Sequence, residues 1–163
     1  MDLARIVDTS ATVAATRSRK AKVAALADLI RECVADEVGL VVRYASGMLR
    51  QRRTGLGWRG LARLPRPAEA STLSVSEVDG VFERLSELSG PGSQRARAEE
   101  TERLFGRATA ADQTWLRGLV TGELRQGALD ALVQEAVAAA TALPLAAVRR
   151  AAMLSGSTPD RKS

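Results

Sequence analysis

The sequence contains no histidine and a single cysteine, Cys33, among its 163 residues. Without imidazole the chain lacks the usual general base and the usual nitrogen ligand for a metal ion. One thiol can form neither a cysteine-type zinc site nor a disulfide within the chain, and we expect Cys33 to be a small core residue. No Gly-x-x-x-x-Gly-Lys-Ser/Thr run and no Lys-x-Asp-Gly sequence is present. These absences argue against an autonomous enzyme, and they predict no metal and no cofactor in this chain.

Aromatic residues are also rare, at 3%, and no apolar run is long enough to span a bilayer or to act as a secretion signal. We therefore expect a cytoplasmic protein. The apolar content of 45% comes mostly from Ala and Leu, which favour helix, and the length suits one domain with a real core. The composition predicts an all-α fold in a single compact domain.

Positive charge is concentrated in the first half of the chain. Between residues 16 and 66, twelve basic residues face only four acids, whereas residues 67–163 carry eleven basic residues and thirteen acids. A local excess of this size predicts a polyanionic partner. The alternative is that the arginines only solvate helix faces.

Apolar spacing and capping residues place the helices and the boundaries of the domain. Ser18, Ser74 and Thr109 are the expected N-caps, and Ser74 forms a capping box with Glu77. We expect one folded domain over residues 1–156, with a connector at 65–71, and a tail or linker at 157–163. The predicted helices cover about residues 2–14, 19–34, 36–49, 59–64, 75–88, 94–106, 110–120, 129–142 and 144–154.

The two halves of the chain align without gaps at an offset of 75 residues. The runs Ser46–Gln51 and Thr121–Gln126 share the pattern small hydroxyl, Gly, any residue, Leu, Arg, Gln, and core positions such as Leu29 and Leu104 coincide in the same register. The alignment predicts two pseudo-symmetric helical repeats, at about 2–66 and 74–142, followed by a final helix at about 144–154.

Each repeat offers two features that suit phosphate. A helix start with small hydroxyls has free backbone N–H groups, and a Gly-x-Leu-Arg-Gln turn combines close backbone approach with an arginine fork. The alternatives are that the serines only cap helices and that the glycines only allow close packing. Trp58 could lie against a sugar or a flattened groove, but we expect it to anchor its loop to the core, and we expect Trp115 to lie in the core. The candidate phosphate-binding residues are Thr16, Arg17, Ser18, Arg19, Lys20, Gly47, Arg50, Arg52, Arg53, Gly55, Gly57, Ser89, Gly90, Gly92, Ser93, Gln94, Arg95, Gly122, Arg125 and Gly127.

Five motifs, in order along nearly the whole chain, give it a family resemblance. They are Thr16–Val23, Gly55–Trp58, Leu88–Gln94, Gly122–Ala128 and Val148–Gly156. With these motifs the chain resembles the N-terminal DNA-binding domain of ATP-dependent DNA ligases, in particular the bacterial, actinobacterial ligase B type. One departure is Pro91, at a position where relatives often carry a basic residue.

The resemblance implies an all-helical, pseudo-symmetric and monomeric domain that holds nicked double-stranded DNA across the minor groove, through phosphates, in DNA repair, replication and recombination. By the same resemblance, ATP and Mg²⁺ serve the full-length ligase, whose adenylation and OB domains are missing here, so this chain alone should not seal DNA. It would act in the cytoplasm, at the bacterial nucleoid. A helical scaffold or regulatory domain that binds an acidic protein is the alternative. Whether Arg50 and Arg125 contact DNA or the protein itself is left open by the sequence.

Overall fold

The structure, a computed structural model, describes residues 1–125 and 127–157. Within these residues the chain forms eight α-helices and no β-strand, which confirms the predicted all-α class. Gln126 of the second motif and residues 158–163 of the predicted tail lie outside the described residues. The helices are α1 (Leu3–Ala15), α2 (Arg19–Arg31), α3 (Val38–Ala45), α4 (Val75–Glu87), α5 (Ser93–Gly106), α6 (Ala110–Thr121), α7 (Gly127–Thr141) and α8 (Leu145–Ser157).

The three predicted N-caps are confirmed by their hydrogen bonds. Ser18 Oγ accepts from the backbone N–H of Ala21 at 3.1 Å. Ser74 Oγ accepts from Glu77 N–H at 3.1 Å, and the Glu77 carboxylate accepts from Ser74 N–H at 3.2 Å, which is the reciprocal pair of a capping box. Thr109 begins α6 in the same way with its third helical residue. Side chains therefore satisfy N–H groups that the starts of α2, α4 and α6 would leave unpaired.

The main core lies between α1 and the helices α3 to α6. Trp115 of α6 is only 5% exposed, as predicted, and its ring packs edge to face on Tyr44 of α3 with centroids 5.7 Å apart. The Tyr44 hydroxyl is buried without a hydrogen-bond partner in the described part of the chain, and burial raises its pKa. Cys33 is half-buried and packs against this core. The fully buried large side chains include Leu3, Ile6, Leu29, Tyr44, Leu61, Leu73, Phe82, Leu85, Phe105 and Leu116.

A second, smaller core forms between α1, α2 and α7. Ala27 of α2 and Ala136 of α7 are both buried, and small side chains of this kind let two helices approach closely. The apolar residues of this core are Val13, Leu26, Ala27, Ile30, Leu132, Val133 and Ala136. The second core attaches α7 to the first half of the chain, and α8 packs on α7.

Several predicted elements differ from the structure. The helix expected at 59–64 is wrong: a turn spans Trp58 to Leu61, in a stretch where Gly57 and Gly60 disfavour helix. The helix expected at 36–49 is a 3₁₀ turn, Ala35–Glu37, followed by the short α3, because Gly47 takes a left-handed conformation with φ of 75°. The expectation that Trp58 anchors its loop to the core is also wrong, because its side chain is exposed.

Smaller differences concern helix ends. Helix α2 ends at Arg31 and not near residue 34, and α8 continues to Ser157, beyond the predicted end at 154. Helices α1 to α3 and α4 to α6 follow each other in the same order, and the glycine after each third helix is left-handed. The description of the chain as two pseudo-symmetric repeats, with the domain boundaries drawn from it, stays a prediction.

Candidate nucleic-acid interface

The densest group of arginines without an acidic partner lies in residues 50–66, here called the basic segment, which connects α3 to the connector before α4. The segment contains six arginines, no lysine and no acid. Among the described residues, five of these arginines are exposed and have no carboxylate within ion-pair distance. They are Arg52, Arg53, Arg59, Arg63 and Arg66. A polyanion would therefore meet guanidinium groups that no carboxylate of the described residues neutralises.

Four arginines on α4, on α5 and directly after α5 provide the contrast. Arg84 and Arg103 both contact Glu100 at 3.4 Å, and Arg107 contacts Glu77 at 2.8 Å. Arg95, a predicted phosphate ligand, pairs with Glu99 of the next helical turn at 3.4 Å. Arginine content alone therefore does not locate the interface, because the second half of the chain neutralises much of its own charge.

The basic segment is fixed to the helices at two points. Leu61 is fully buried in the main core, and Thr54 is buried as well. Arg97 of α5 donates from Nε to the Thr54 carbonyl at 3.1 Å and from Nη2 to the Leu88 carbonyl at 3.2 Å. Gly55 leaves the room for this side chain, since a Cβ at Gly55 would lie 2.3 Å from Arg97 Nε. Arg97 thus joins the loop of Gly55 and Gly57 to the loop that begins at Ser89.

The two Gly-x-Leu-Arg-Gln turns lie against each other. Gly47 has a φ of 75°, and a Cβ there would lie 2.7 Å from the Leu124 carbonyl carbon and 2.8 Å from Arg125 N. Gly122 has a φ of 79°, but a Cβ there would meet no atom within 4 Å. The first glycine therefore serves close approach between backbones, and the second serves only the reversal of the chain after α6. Gly127, also predicted at the site, is the first residue of α7.

The matched arginines of the two turns have different surroundings. Arg50 donates to both carboxylate oxygens of Asp79 on α4, at 3.1 and 3.2 Å, and also contacts Glu83. The hydrogen bond with Asp79 is the main cause that raises the pKa of Arg50. Arg125 is exposed and has no carboxylate partner among the described residues. Arg50 thus faces the second half of the protein, and a phosphate would have to compete there with two carboxylates.

The two predicted helix starts also differ. Ser18 caps α2, and Thr16 Oγ1 accepts from Ser18 N–H at 3.1 Å. Ser93 is not a cap: it is the first residue of α5, and the position before it is Gly92, with a φ of 81° and no side chain to cap the helix. Ser93 N–H donates to the Gly90 carbonyl at 3.2 Å. The next N–H groups of α5, those of Gln94 and Arg95, thus remain at a helix start where an anion is favourable.

Contacts within the described residues join some of the predicted sites and leave others apart. The turns at Gly47 and Gly122 touch, Arg50 reaches α4, and Arg97 connects the loops at Gly55 and Ser89. The stretch 16–20 is tied instead to α7, where Arg19 pairs with Glu135 at 2.6 Å, and in the described part of the chain no hydrogen bond or ion pair joins it to either turn. Sequence reasoning missed Arg97, although the repeat register, which places it opposite Lys22, was a usable signal.

Replacing Ser18 by Ala should lower the free energy of unfolding by about 1 kcal/mol, because the N-cap hydrogen bond to Ala21 is lost. The matched change at Ser93 removes no cap and should alter stability by less than about 0.5 kcal/mol. Urea denaturation of both variants measures the difference. Equal losses of unfolding free energy in the two variants would contradict the conclusion that Ser18 is an N-cap and Ser93 is not.

Two further properties bear on function. Over residues 1–125 and 127–157, no helix combines the length and the apolar character that a membrane crossing requires. The same residues contain no group of three or more Cys, Asp or Glu side chains that could hold a metal ion.

Comparison with known proteins identifies the family. The family described as DNA ligase N terminus matches residues 61–138. Relatives from Nocardioides sp., Beutenbergia cavernae and Kineococcus radiotolerans, each named a probable DNA ligase, are 62%, 58% and 58% identical to the chain and cover 96%, 97% and 97% of it. The chain spans about a third of the length of these relatives, at 32%, 31% and 32%. It therefore belongs to the family of DNA ligase N-terminal domains.

Proposed function

We propose that this chain is the DNA-binding domain of an ATP-dependent DNA ligase. It holds nicked duplex DNA by backbone phosphates, across the minor groove and with little dependence on base sequence. The observation that carries the proposal is the set of five exposed arginines in the basic segment that have no carboxylate partner among the described residues. Guanidinium forks match phosphate oxygens, and phosphate contacts position a protein on DNA without reading its sequence. This suits a protein that must act at a nick in any sequence.

Other candidate residues extend the interface. Arg125 is exposed beside the turn at Gly122, and the start of α5 presents the N–H groups of Gln94 and Arg95. The stretch 16–20 adds Arg17 and Lys20, both exposed, at the start of α2. These groups lie after α6, at the start of α5 and at the start of α2, and we expect them to contact phosphates of both strands. We expect a smaller contribution from Arg50, since Asp79 and Glu83 already bind it.

The cofactors of a ligase do not fit the residues of this chain. The described residues hold no metal-binding cluster, and the sequence has no Lys-x-Asp-Gly motif. In this proposal, no residue of this chain takes part in the sealing reaction. In the proposal, ATP and Mg²⁺ serve the adenylation and OB domains of the longer protein. The domain described here binds DNA as a monomer, in the bacterial cytoplasm, during repair and replication.

A salt titration of DNA binding tests the proposal. Fluorescence anisotropy with labelled nicked and intact duplexes should show binding to two unrelated sequences with similar affinity. If about five phosphates are neutralised, log K should fall against log salt with a slope of roughly −4 to −5. Binding without salt dependence would overturn the proposal. A clear preference for one sequence would indicate base readout, and no binding at moderate salt would favour a domain that binds an acidic protein.

A further inference from the structure

Trp58 is the exception among the aromatic residues. The chain has two Trp, one Tyr and two Phe, and four of these five side chains are buried in the main core. Trp58 is 58% exposed, although an indole of this size gains much from burial. A single exposed tryptophan at a candidate interface calls for a ligand with a flat, apolar face.

The turn that carries Trp58 is held in place from both sides. Thr54, four residues before it, is buried, and its carbonyl accepts a hydrogen bond from Arg97 at 3.1 Å. Leu61, three residues after it, is fully buried. Between these two points, Gly57 has open space where a Cβ would be. The ring is therefore presented on a short, anchored turn, with no neighbouring side chain at Gly57 to obstruct an approaching group.

The charged residues within five positions of Trp58 in the sequence are all arginines. Arg59 follows it directly, and Arg53 and Arg63 lie within five residues on either side, each exposed and without a carboxylate partner in the described part of the chain. Proteins that bind single-stranded nucleic acid combine these two elements, an aromatic face on which a base stacks and cations that hold the backbone beside it. An acidic peptide would use the arginines but would leave the indole without a partner.

We infer that Trp58 stacks on an unpaired nucleotide, while the arginines of the basic segment bind the phosphates next to it. The inference rests on the proposed DNA-binding function and adds a second kind of recognition to it. In an intact duplex both faces of a base are covered by its neighbours, so the indole finds no free face there. At a gap or along a single strand a base face is available, so this contact should distinguish interrupted DNA from continuous duplex.

Binding of three labelled DNA probes tests this inference: an intact duplex, the same duplex with a short gap, and the single strand. Trp58→Ala should weaken binding to the gapped duplex and to the single strand by about tenfold, and leave binding to intact duplex unchanged. Trp58→Phe keeps a stacking ring and should retain most of the affinity. Wild-type tryptophan fluorescence should be quenched by the gapped duplex, whereas Trp58→Phe, which keeps only the buried Trp115, should show little quenching.

Two outcomes overturn the inference. If Trp58→Ala weakens binding to all three probes equally, the ring lies against the sugars of paired DNA. If it weakens binding to none of them, Trp58 does not contact nucleic acid. Both outcomes are compatible with the proposed binding of backbone phosphates, since wild-type binding to intact duplex would still depend on salt. Failure of that wild-type binding would instead refute the proposed function. Because Trp58 is exposed, unchanged melting temperatures should confirm that the variants fold.

Discussion

Gly47→Ala should lower the free energy of unfolding by about 3 kcal/mol. Part of this loss is the left-handed backbone, since a φ of 75° costs a residue with a Cβ about 1–2 kcal/mol. The rest is overlap, because the new methyl group would lie 2.7 Å from the Leu124 carbonyl carbon. That atom belongs to the backbone of the other turn, so it cannot move aside as a flexible side chain would. Equilibrium denaturation in urea measures the loss.

Gly122→Ala is the matched control for Gly47→Ala. Its φ of 79° is almost the same, but a Cβ at Gly122 meets no atom within 4 Å. It should cost about 1 kcal/mol, so that the difference between the two variants measures the contact between the turns. Equal losses at both positions would show that Gly47 serves only the local turn, and would remove the evidence that the turns are held together.

Replacing Arg52, Arg53, Arg59 and Arg63 together by Gln should weaken binding to intact duplex by about a hundredfold or more and flatten the salt dependence. Each arginine that no longer neutralises a phosphate should reduce the slope of log K against log salt by about 1. The four side chains are exposed and make no ion pair among the described residues, so the fold should be little affected. Anisotropy titrations at several salt concentrations measure both quantities.

The control for this variant carries the same change in net charge at a different place. Arg84, Arg103 and Arg107 already pair with glutamates on α4 and α5, and Arg5 pairs with Glu32 at the end of α2. Their replacement by Gln should affect DNA affinity far less, and exposed pairs of this kind contribute only about 0.2–1 kcal/mol each to stability. If both quadruple variants lose the same affinity, total charge governs binding and the basic segment is not the interface.

Local signals were sufficient to predict most of the helices. Ser74 and Glu77 form the capping box that their spacing indicates, and Thr109 begins α6 where expected. These features depend on residues three apart, so the sequence alone determines them. The short helix expected after Trp58 failed because burial of Leu61 and the glycines beside it favour a turn, which a count of apolar residues does not register.

Long-range contacts explain what could not be predicted at the site. Arg50 and Arg125 occupy matching positions in the two motifs, yet only Arg50 meets a carboxylate among the described residues, because Asp79 and Glu83 lie on a helix some 30 residues away. Similarly, the sequence pattern around Gly47 indicates close backbone approach, but it does not identify Leu124 as the neighbouring residue. Exposure of Trp58 follows from how its turn is anchored and not from its flanking residues.

The contact between the two turns also has a consequence for the order of folding. Gly47 and Leu124 are about 80 residues apart in the chain, whereas the capping boxes and helix hydrogen bonds join near neighbours. Closing so long a loop loses chain entropy before the contact between the turns can stabilise the fold. Contacts between residues so far apart in the chain therefore form after local structure. We therefore expect the helices to form first and the meeting of the turns to complete the native state. Gly47→Ala should then speed unfolding much more than it slows refolding.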